Sequence, residues 1–378
     1  MAIYFTYVRH GETLFNKTAR MQGQCDSPLS SKGIAQAENT ASALRAQHFD
    51  HIFCSSSERA WDTAKIIAAY HREKPVLLKE LKEFDFGRLD GQLFSDMNDI
   101  IQKHRKADEW TDVGGENVPL FEKRAKTAFK KILSKCRDEE HVLIVSHGSY
   151  FSHLLKTLIA YDFDDYRRRM DAAGRPLVPN CSISEFVFEN GVYKLVSEPQ
   201  TADEYRASQK KNFRLIITCT NETVFEAEGR KEGQSDSPLT DAGLMKTEET
   251  AKELRSYQFN GAFVSTSERA RDTAAILLQE KEVYTLYLKD LRERYLGLLE
   301  ADNKIKEEEI TDYAQYHAES EEELETRAEK IVRTIYDYAS DNQTYLIVTH
   351  RMFCEKLISA IDRAQNIFAQ NVIKIRIG

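Results

Sequence analysis

Asp26-Ser27-Pro28-Leu29 and Asp236-Ser237-Pro238-Leu239 are the same tetrapeptide written twice, 210 residues apart. Working outward from that pair, Ser57-Glu58-Arg59-Ala60 recurs as Ser267-Glu268-Arg269-Ala270 and Asp62-Thr63-Ala64 as Asp272-Thr273-Ala274. Glu12-Thr13 recurs as Glu222-Thr223, and Leu81-x-Glu83 as Leu291-x-Glu293, at the same offset. Farther along, Arg124 matches Arg327 and Val145-x-His147 matches Val348-x-His350 at an offset of 203, so the second copy is seven residues shorter between 90 and 116 of the first. Such self-similarity predicts two domains of one fold. We place them at 1–207 and 208–378, joined near Pro199-Gln-Thr-Ala-Asp203.

Within each copy, strand and helix signals alternate. Ile3–Val8 is an apolar, β-prone opening strand, and Ser30 or Ser31 can cap a helix whose residues Ile34, Ala37, Ala41 and Leu44 share one face. The second copy repeats this with Thr240 or Asp241 as the cap and Leu244, Ala251 and Leu254 on the face. His51–Ser55 reads as a short strand followed by a helix from Glu58, and His141–Ser146 as a buried strand ending at His147. Ile183–Val196, with Asn190-Gly191 at its middle, reads as a hairpin. The alternation predicts an α/β fold with a mostly parallel sheet covered by helices. Ligands of such sheets bind beyond the carboxyl ends of the strands, which puts Arg9-His10 and His147 on one rim.

The 378 residues are 41% hydrophobic and 30% charged, as a chain with a real core requires. A net charge of -8 without a basic face argues against nucleic acid, and Arg167-Arg168-Arg169 is flanked by Asp164, Asp165 and Asp171. Six scattered cysteines lack any C-x-x-C or zinc spacing, which fits a reducing compartment and no metal. The opening apolar run is too short for a signal-peptide core, and no stretch reaches the ~20 apolar residues of a membrane helix. A cytoplasmic protein with no membrane partner is the expectation.

A phosphate ester needs its dianion neutralised, its phosphorus attacked in line and its leaving oxygen protonated. A neutral histidine can attack, arginine forks suit phosphoryl oxygens, and a protonated carboxyl can serve as acid and then as base. The first copy offers His10, Arg9, Arg59, His147 and Glu83 after strands or at loop starts. Spacing alone leaves open whether they meet. Taken singly, His10 and His147 read equally as strand-end histidines bonded to backbone, and Glu83 with Arg59 as a structural ion pair.

Arg9-His10-Gly11-Glu12-Thr13, then Asn16, then Gln22-Gly23-Gln24-x-Asp26-Ser27-Pro28-Leu29, resembles the opening signature of the histidine phosphatase (phosphoglycerate-mutase-like) superfamily. Ser57-Glu58-Arg59-Ala60, Leu81-x-Glu83-x-x-x-Gly87-x-x-x-Gly91, Gly114-Gly115-Glu116 and Val145-Ser146-His147-Gly148 resemble its later motifs, in order. The resemblance implies two phosphoglycerate-mutase-like domains and, in the first, a phosphohistidine on His10. It implies that Arg9, Arg59 and His147 hold the phosphoryl oxygens, assisted by Asn16 and the Gly148 backbone. Glu83 would protonate the leaving oxygen and then activate water, Gln22 and Gly23 would lie near the substrate, and no cofactor or metal would be needed. Glu116 falls in a later motif and reads as a rim or structural carboxylate.

In the second copy Cys219 replaces Arg9, Thr220 replaces His10, Asn221 replaces Gly11 and Glu226 replaces Asn16, while Arg269, Glu293 and His350 survive. Phe225 stands where a Cys-x5-Arg loop starting at Cys219 would need its arginine. A catalytically silent second domain, serving as scaffold or partner surface, is the expectation. Gly115 lies 24 residues after Gly91, room for a short helical cap between Leu93 and Val113 rather than a mutase-sized insertion. The segment Arg20–Leu29 resembles the small phosphatase branch. Hydrolysis of a small phosphomonoester is therefore the first expectation, a phosphoglycerate mutase the second, and a non-enzymatic phospho-ligand binding module the third. The sequence sets no oligomeric state.

Overall fold

The computed structural model describes residues 1–159, 161–209, 211–279, 281–306, 309–368 and 372–377, with the backbone alone beyond 364. The chain divides into two compact units, Met1–Tyr205 and Arg206–Gly378. That division falls within helix Ala202–Ser208, where the sequence places the join at 207/208.

In the first unit the elements are β1 (Ala2–Arg9), α1 (Leu14–Lys17), α2 (Ser31–Leu44), β2 (His51–Ser55), α3 (Glu58–Ala68) and β3 (Val76–Leu78). They continue with α4 (Asn98–Ala107), α5 (Val118–Leu133), β4 (His141–Ser146), α6 (Gly148–Thr157), α7 (Phe163–Ala172), β5 (Ile183–Glu189) and β6 (Val192–Gln200), and α8 (Ala202–Ser208) leads out. The sheet order is β3-β2-β4-β1-β5-β6. Its first four strands run parallel, and β5 turns antiparallel to β1 before β6 folds back through Asn190-Gly191. Phe5, Tyr7, Val142 and Ile144 feed one core and Val8, Leu143 and Val145 the other, so the central strands are buried on both faces.

Helix α2 shows how backbone contact overrides an apolar pattern. Ser30 caps it, accepting the Gly33 N–H at 3.0 Å. A Cβ on Gly33 would lie 2.0 Å from the Glu12 carbonyl oxygen, so this face must press against the loop after β1. The buried face is therefore Gly33, Ala37, Thr40, Ala41 and Leu44, and Ile34, expected inside, is 43% exposed. The cap segment after Gly91 holds α4, as the spacing predicts.

The second unit repeats the plan through β7 (Phe213–Cys219), α9 (Val224–Ala227), α10 (Asp241–Leu254), β8 (Gly261–Ser265), α11 (Glu268–Leu278) and β9 (Thr285–Leu288). It ends with α12 (Glu321–Tyr338), β10 (Thr344–Thr349), α13 (Arg351–Phe368) and β11 (Val372–Ile377). Thr240 is the cap of α10. The order is β11-β7-β10-β8-β9, with every pair parallel. One helix, α13, replaces the α6–α7 pair, and a single crossover delivers β11 parallel to β7 where β5 runs antiparallel. No helix among the described residues is long and apolar enough to cross a membrane.

Asp337 on α12 accepts two bonds from Arg206, from Nε at 2.7 Å and Nη2 at 2.9 Å, with both side chains buried. Asp337→Ala strands a buried guanidinium, and we expect a loss of about 3 kcal/mol in the second unit. Denaturant titration with hydrogen exchange in α12 as the probe checks this; a change under about 1 kcal/mol would refute it.

Candidate functional site

Parallel pairing of β1 with β4 sets Arg9 opposite Ser146, so His10 and His147 follow adjacent strand ends. β2 lies on the other side of β4 and ends at Ser55, from which α3 begins and carries Arg59 inward. Three neighbouring parallel strands thus deliver their next residues to one place. The rings of His10 and His147 stand edge to face, 5.2 Å between centroids.

His10 is 3% exposed and fixed at every polar atom. Its N–H donates to the Ser146 carbonyl at 3.0 Å, and its carbonyl accepts the Asn180 Nδ2–H at 3.1 Å. Ring Nδ1 lies 2.8 Å from the Gly11 carbonyl oxygen, which can only accept, so the proton resides on Nδ1. Nε2 therefore carries a lone pair, and the Arg59 Nε–H points at it from 3.2 Å. Burial, then the Arg59 and Arg9 charges, hold this imidazole well below the ordinary histidine range. It stays neutral throughout the physiological pH range.

Arg59 is fully buried and spends most of its five N–H groups on protein. Nη1 donates to the Cys25 carbonyl at 2.8 Å and to Asp26 Oδ1 at 2.9 Å, and Nη2 to the Gly23 carbonyl at 2.8 Å. One Nη2–H and the Nε–H are left facing the His10 side. Arg9 is tied through Nη1 to the Val178 carbonyl at 2.5 Å, but its buried Nε has no partner. Gly148 packs flat on that guanidinium, since a Cβ there would come within 3.1 Å of Arg9 Nε. His147 Nε2 meets Ser55 Oγ at 2.7 Å, and the Ser57 N–H already occupies an acceptor position on that hydroxyl. The other ring nitrogen, Nδ1, is buried without a partner. Burial and the Arg59 charge keep His147 neutral as well.

Glu83 is buried beside α6, accepting N–H groups from Phe84 at 2.8 Å, Ser149 at 2.9 Å and Tyr150 at 2.6 Å. Burial raises its carboxyl above the usual range, against the pull of those donors and of Arg59 and Arg9. It forms no ion pair with Arg59, so the structural reading of that pair fails. Glu116 is structural: it pairs with Arg124 and accepts the Asp85 N–H at 3.0 Å. Asn16 Oδ1 closes the α1 cap by accepting the Thr13 N–H and also takes the Asn180 Nδ2–H at 3.2 Å. Gln22 Oε1 accepts the Thr13 hydroxyl at 2.8 Å, while its buried Nε2 has no partner. The fold thus gathers all nine expected residues, Arg9, His10, Asn16, Gln22, Gly23, Arg59, Glu83, His147 and Gly148, around one rim.

Sequence reasoning missed four supports. Asp26 anchors Arg59, Asp90 accepts the Gly23 and Cys25 N–H groups, Ser55 orients His147, and Asn180 bridges His10 and Asn16. Asp26 lies inside the repeated tetrapeptide, whereas Asn180 sits just before β5, outside every repeated motif. One His/Cys/carboxylate group close enough to share an ion is found among the described residues: His51, Cys136 and Glu140. It lies at the amino ends of β2 and β4, away from this rim, and His51 and Glu140 already pair at 3.0 Å.

The second unit keeps the frame with other residues in it. Arg269 holds Asp236 at 2.8 Å and the Gly233 carbonyl at 2.8 Å, and Glu293 accepts the N–H groups of Arg294, Met352 and Phe353. Thr220 stands in for His10, its hydroxyl 3.5 Å from His350 Nδ1. Glu319 pairs with Arg327, and Ser320 caps α12 in a reciprocal pair with Glu323.

Several known proteins share the pattern. A 2-carboxy-D-arabinitol-1-phosphatase of Triticum aestivum is 27% identical over 310 residues, 77% of this chain and 60% of that protein. The probable phosphoglycerate mutase GpmB of Proteus mirabilis is 32% identical over 188 residues, 48% of this chain and 84% of that protein. Phosphoglycerate mutase-like protein 4 of Arabidopsis thaliana is 34% identical over 155 residues, 39% and 67% of the two chains. The model of the histidine phosphatase superfamily (branch 1) matches residues 5–200 and again 215–373. With both copies of the repeat so covered, the chain belongs to the histidine phosphatase superfamily.

Proposed function

We propose that the first unit hydrolyses small phosphomonoesters through a phosphohistidine on His10. The observation that carries this reading is a pair of buried nitrogens without protein partners, Arg9 Nε and His147 Nδ1, beside a deprotonated His10 Nε2. Buried polar groups left unpaired cost roughly 1–3 kcal/mol each, so their presence fits a site shaped for an absent anion. In the first step Nε2 bonds to phosphorus as the ester P–O bond breaks, and Glu83 gives its proton to the departing oxygen. Arg9, Arg59 and His147, with Asn16 and the Gly148 N–H, hold the three phosphoryl oxygens; Gln22 and Gly23 border the substrate. In the second step Glu83 takes a proton from water as its oxygen bonds to phosphorus, and the P–N bond breaks to release phosphate. Thr220 leaves the second unit without a nucleophile, so it forms no such intermediate.

The test is rapid mixing with a 32P-labelled phosphomonoester, an alkaline quench and tryptic mapping. Acid-labile label should sit on the peptide His10–Lys17. Steady turnover with no label there would overturn the reading. The mutase names among the relatives favour a second reading, in which the phosphoryl group returns to a substrate hydroxyl; label then appears in ester and not in free phosphate.

A further inference from the structure

A cavity of about 880 Å³ opens at the carboxyl ends of β7 and β10, lined by Thr220, Arg269, Glu293 and His350 and by cations the first copy does not have. Six lysines and arginines line it in all. Three are committed to protein: Arg269 to Asp236, Arg230 to the Ala301 carbonyl and the Phe225 ring, and Lys231 to the Ile305 carbonyl. Arg351, Lys246 and Lys306 form no ion pair with a described residue.

The repeat register shows that the positive charge sits at other positions than in the first copy. Arg351 occupies the position of Gly148, and Lys246 that of Gln36. Arg9, which forces position 148 to be glycine, has become Cys219. The guanidinium thus stands at the start of α13, after β10, where the first copy has it at the end of β1. Meanwhile the inherited seat is closed to anions. Glu232, in place of Gln22, lies 3.6 Å from Arg269 and is fixed by the hydroxyls of Thr223 and Ser237. Glu226, in place of Asn16, accepts the Thr223 N–H at 3.1 Å, and the Arg351 charge acts on it.

We propose that this cavity binds a phosphorylated small molecule without reacting with it, the anionic group held by Arg351 together with Lys246 and Lys306. Three cations without an ion pair among the described residues suit a ligand with at least two negative charges, and the volume leaves room for the group that bears the phosphate. Thr220 stands at the nucleophile position, and the His350 ring is engaged at both nitrogens, Nε2 with the Ser265 and Ser267 hydroxyls at 2.9 and 3.0 Å and Nδ1 with the Thr220 hydroxyl at 3.5 Å, so no free imidazole nitrogen is offered to a phosphoryl group.

The test is hydrogen exchange on the full-length protein with millimolar pyrophosphate as probe. Exchange should slow in segments 219–232 and 349–354, and potassium chloride of equal ionic strength should not reproduce it. The double variant K246Q/R351G, which installs the first copy's residues, should need about tenfold more probe for the same protection. No slowing in those segments, equal slowing in the double variant, or mimicry by potassium chloride would each overturn the proposal. Segment 9–17 reports the first unit in the same sample, so the two sites are judged separately.

Discussion

His10→Ala is expected to lower kcat/KM for any phosphomonoester by at least about 10^4-fold while leaving phosphate affinity and thermal stability near those of the parent. The expectation follows from how little else this ring does. Its backbone bonds to Ser146 and Asn180 survive truncation, and its one ring hydrogen bond besides that to Gly11 is from the Arg59 Nε–H aimed at the reactive nitrogen. Without the imidazole, Arg59 keeps its anchors on Asp26 and the Cys25 and Gly23 carbonyls. The cradle therefore remains, and orthophosphate binding should be equal or tighter, since Arg59 Nε then lacks an acceptor. A fall in rate accompanied by a lost cradle would point to misfolding, which circular dichroism and phosphate titration expose. Retention of more than about a tenth of the activity would sink the nucleophile assignment.

Glu83→Gln is expected to cost about 10^2- to 10^4-fold, with a dependence on the leaving group that a structural role would not produce. An alkyl phosphate needs its departing oxygen protonated and should suffer the full loss; an aryl ester with an acidic leaving group should suffer much less. The pH profile gives the sign. Burial raises the Glu83 carboxyl, so the acid form persists above the usual carboxylate range and is lost as pH climbs through the raised value. Alkyl ester hydrolysis should decline across that interval in the parent protein, and this limb should vanish in the glutamine variant. Equal losses for alkyl and aryl esters, with the limb unchanged, would assign Glu83 to fold support alone. Glutamine keeps acceptors for Phe84 and Tyr150 but turns an amide toward the Ser149 N–H, so a stability loss of about 1–3 kcal/mol should accompany the change.

What could be read in advance followed local rules. Strands that end in Arg9-His10 and Ser146-His147, helices capped at Ser30 and Thr240, and the duplication itself each depend on residues adjacent in sequence or on a fixed offset. What escaped depends on contacts made across the chain. Asn180 reaches back about 170 residues to His10, and nothing around Pro179-Asn180-Cys181 announces it. Ile34 is turned out because Gly33 must face the Glu12 carbonyl, a steric demand invisible to apolar periodicity. The direction of β11 was equally hidden, because it depends on whether one helix or two precede the last strand.

The interlocked pair at positions 9 and 148 also constrains history. While Arg351 fills its place, a Cys219→Arg change would set two guanidinium groups against each other, crowded and repelling. Restoring Thr220 to histidine would then supply an attacking nitrogen with Arg269 in place but no counterpart of Arg9. Regaining the first copy's pair must pass through Arg351→Gly first, a step that on its own discards a charge. The exchange at these two positions therefore has an order, and the second copy does not regain the first copy's pair by a single change.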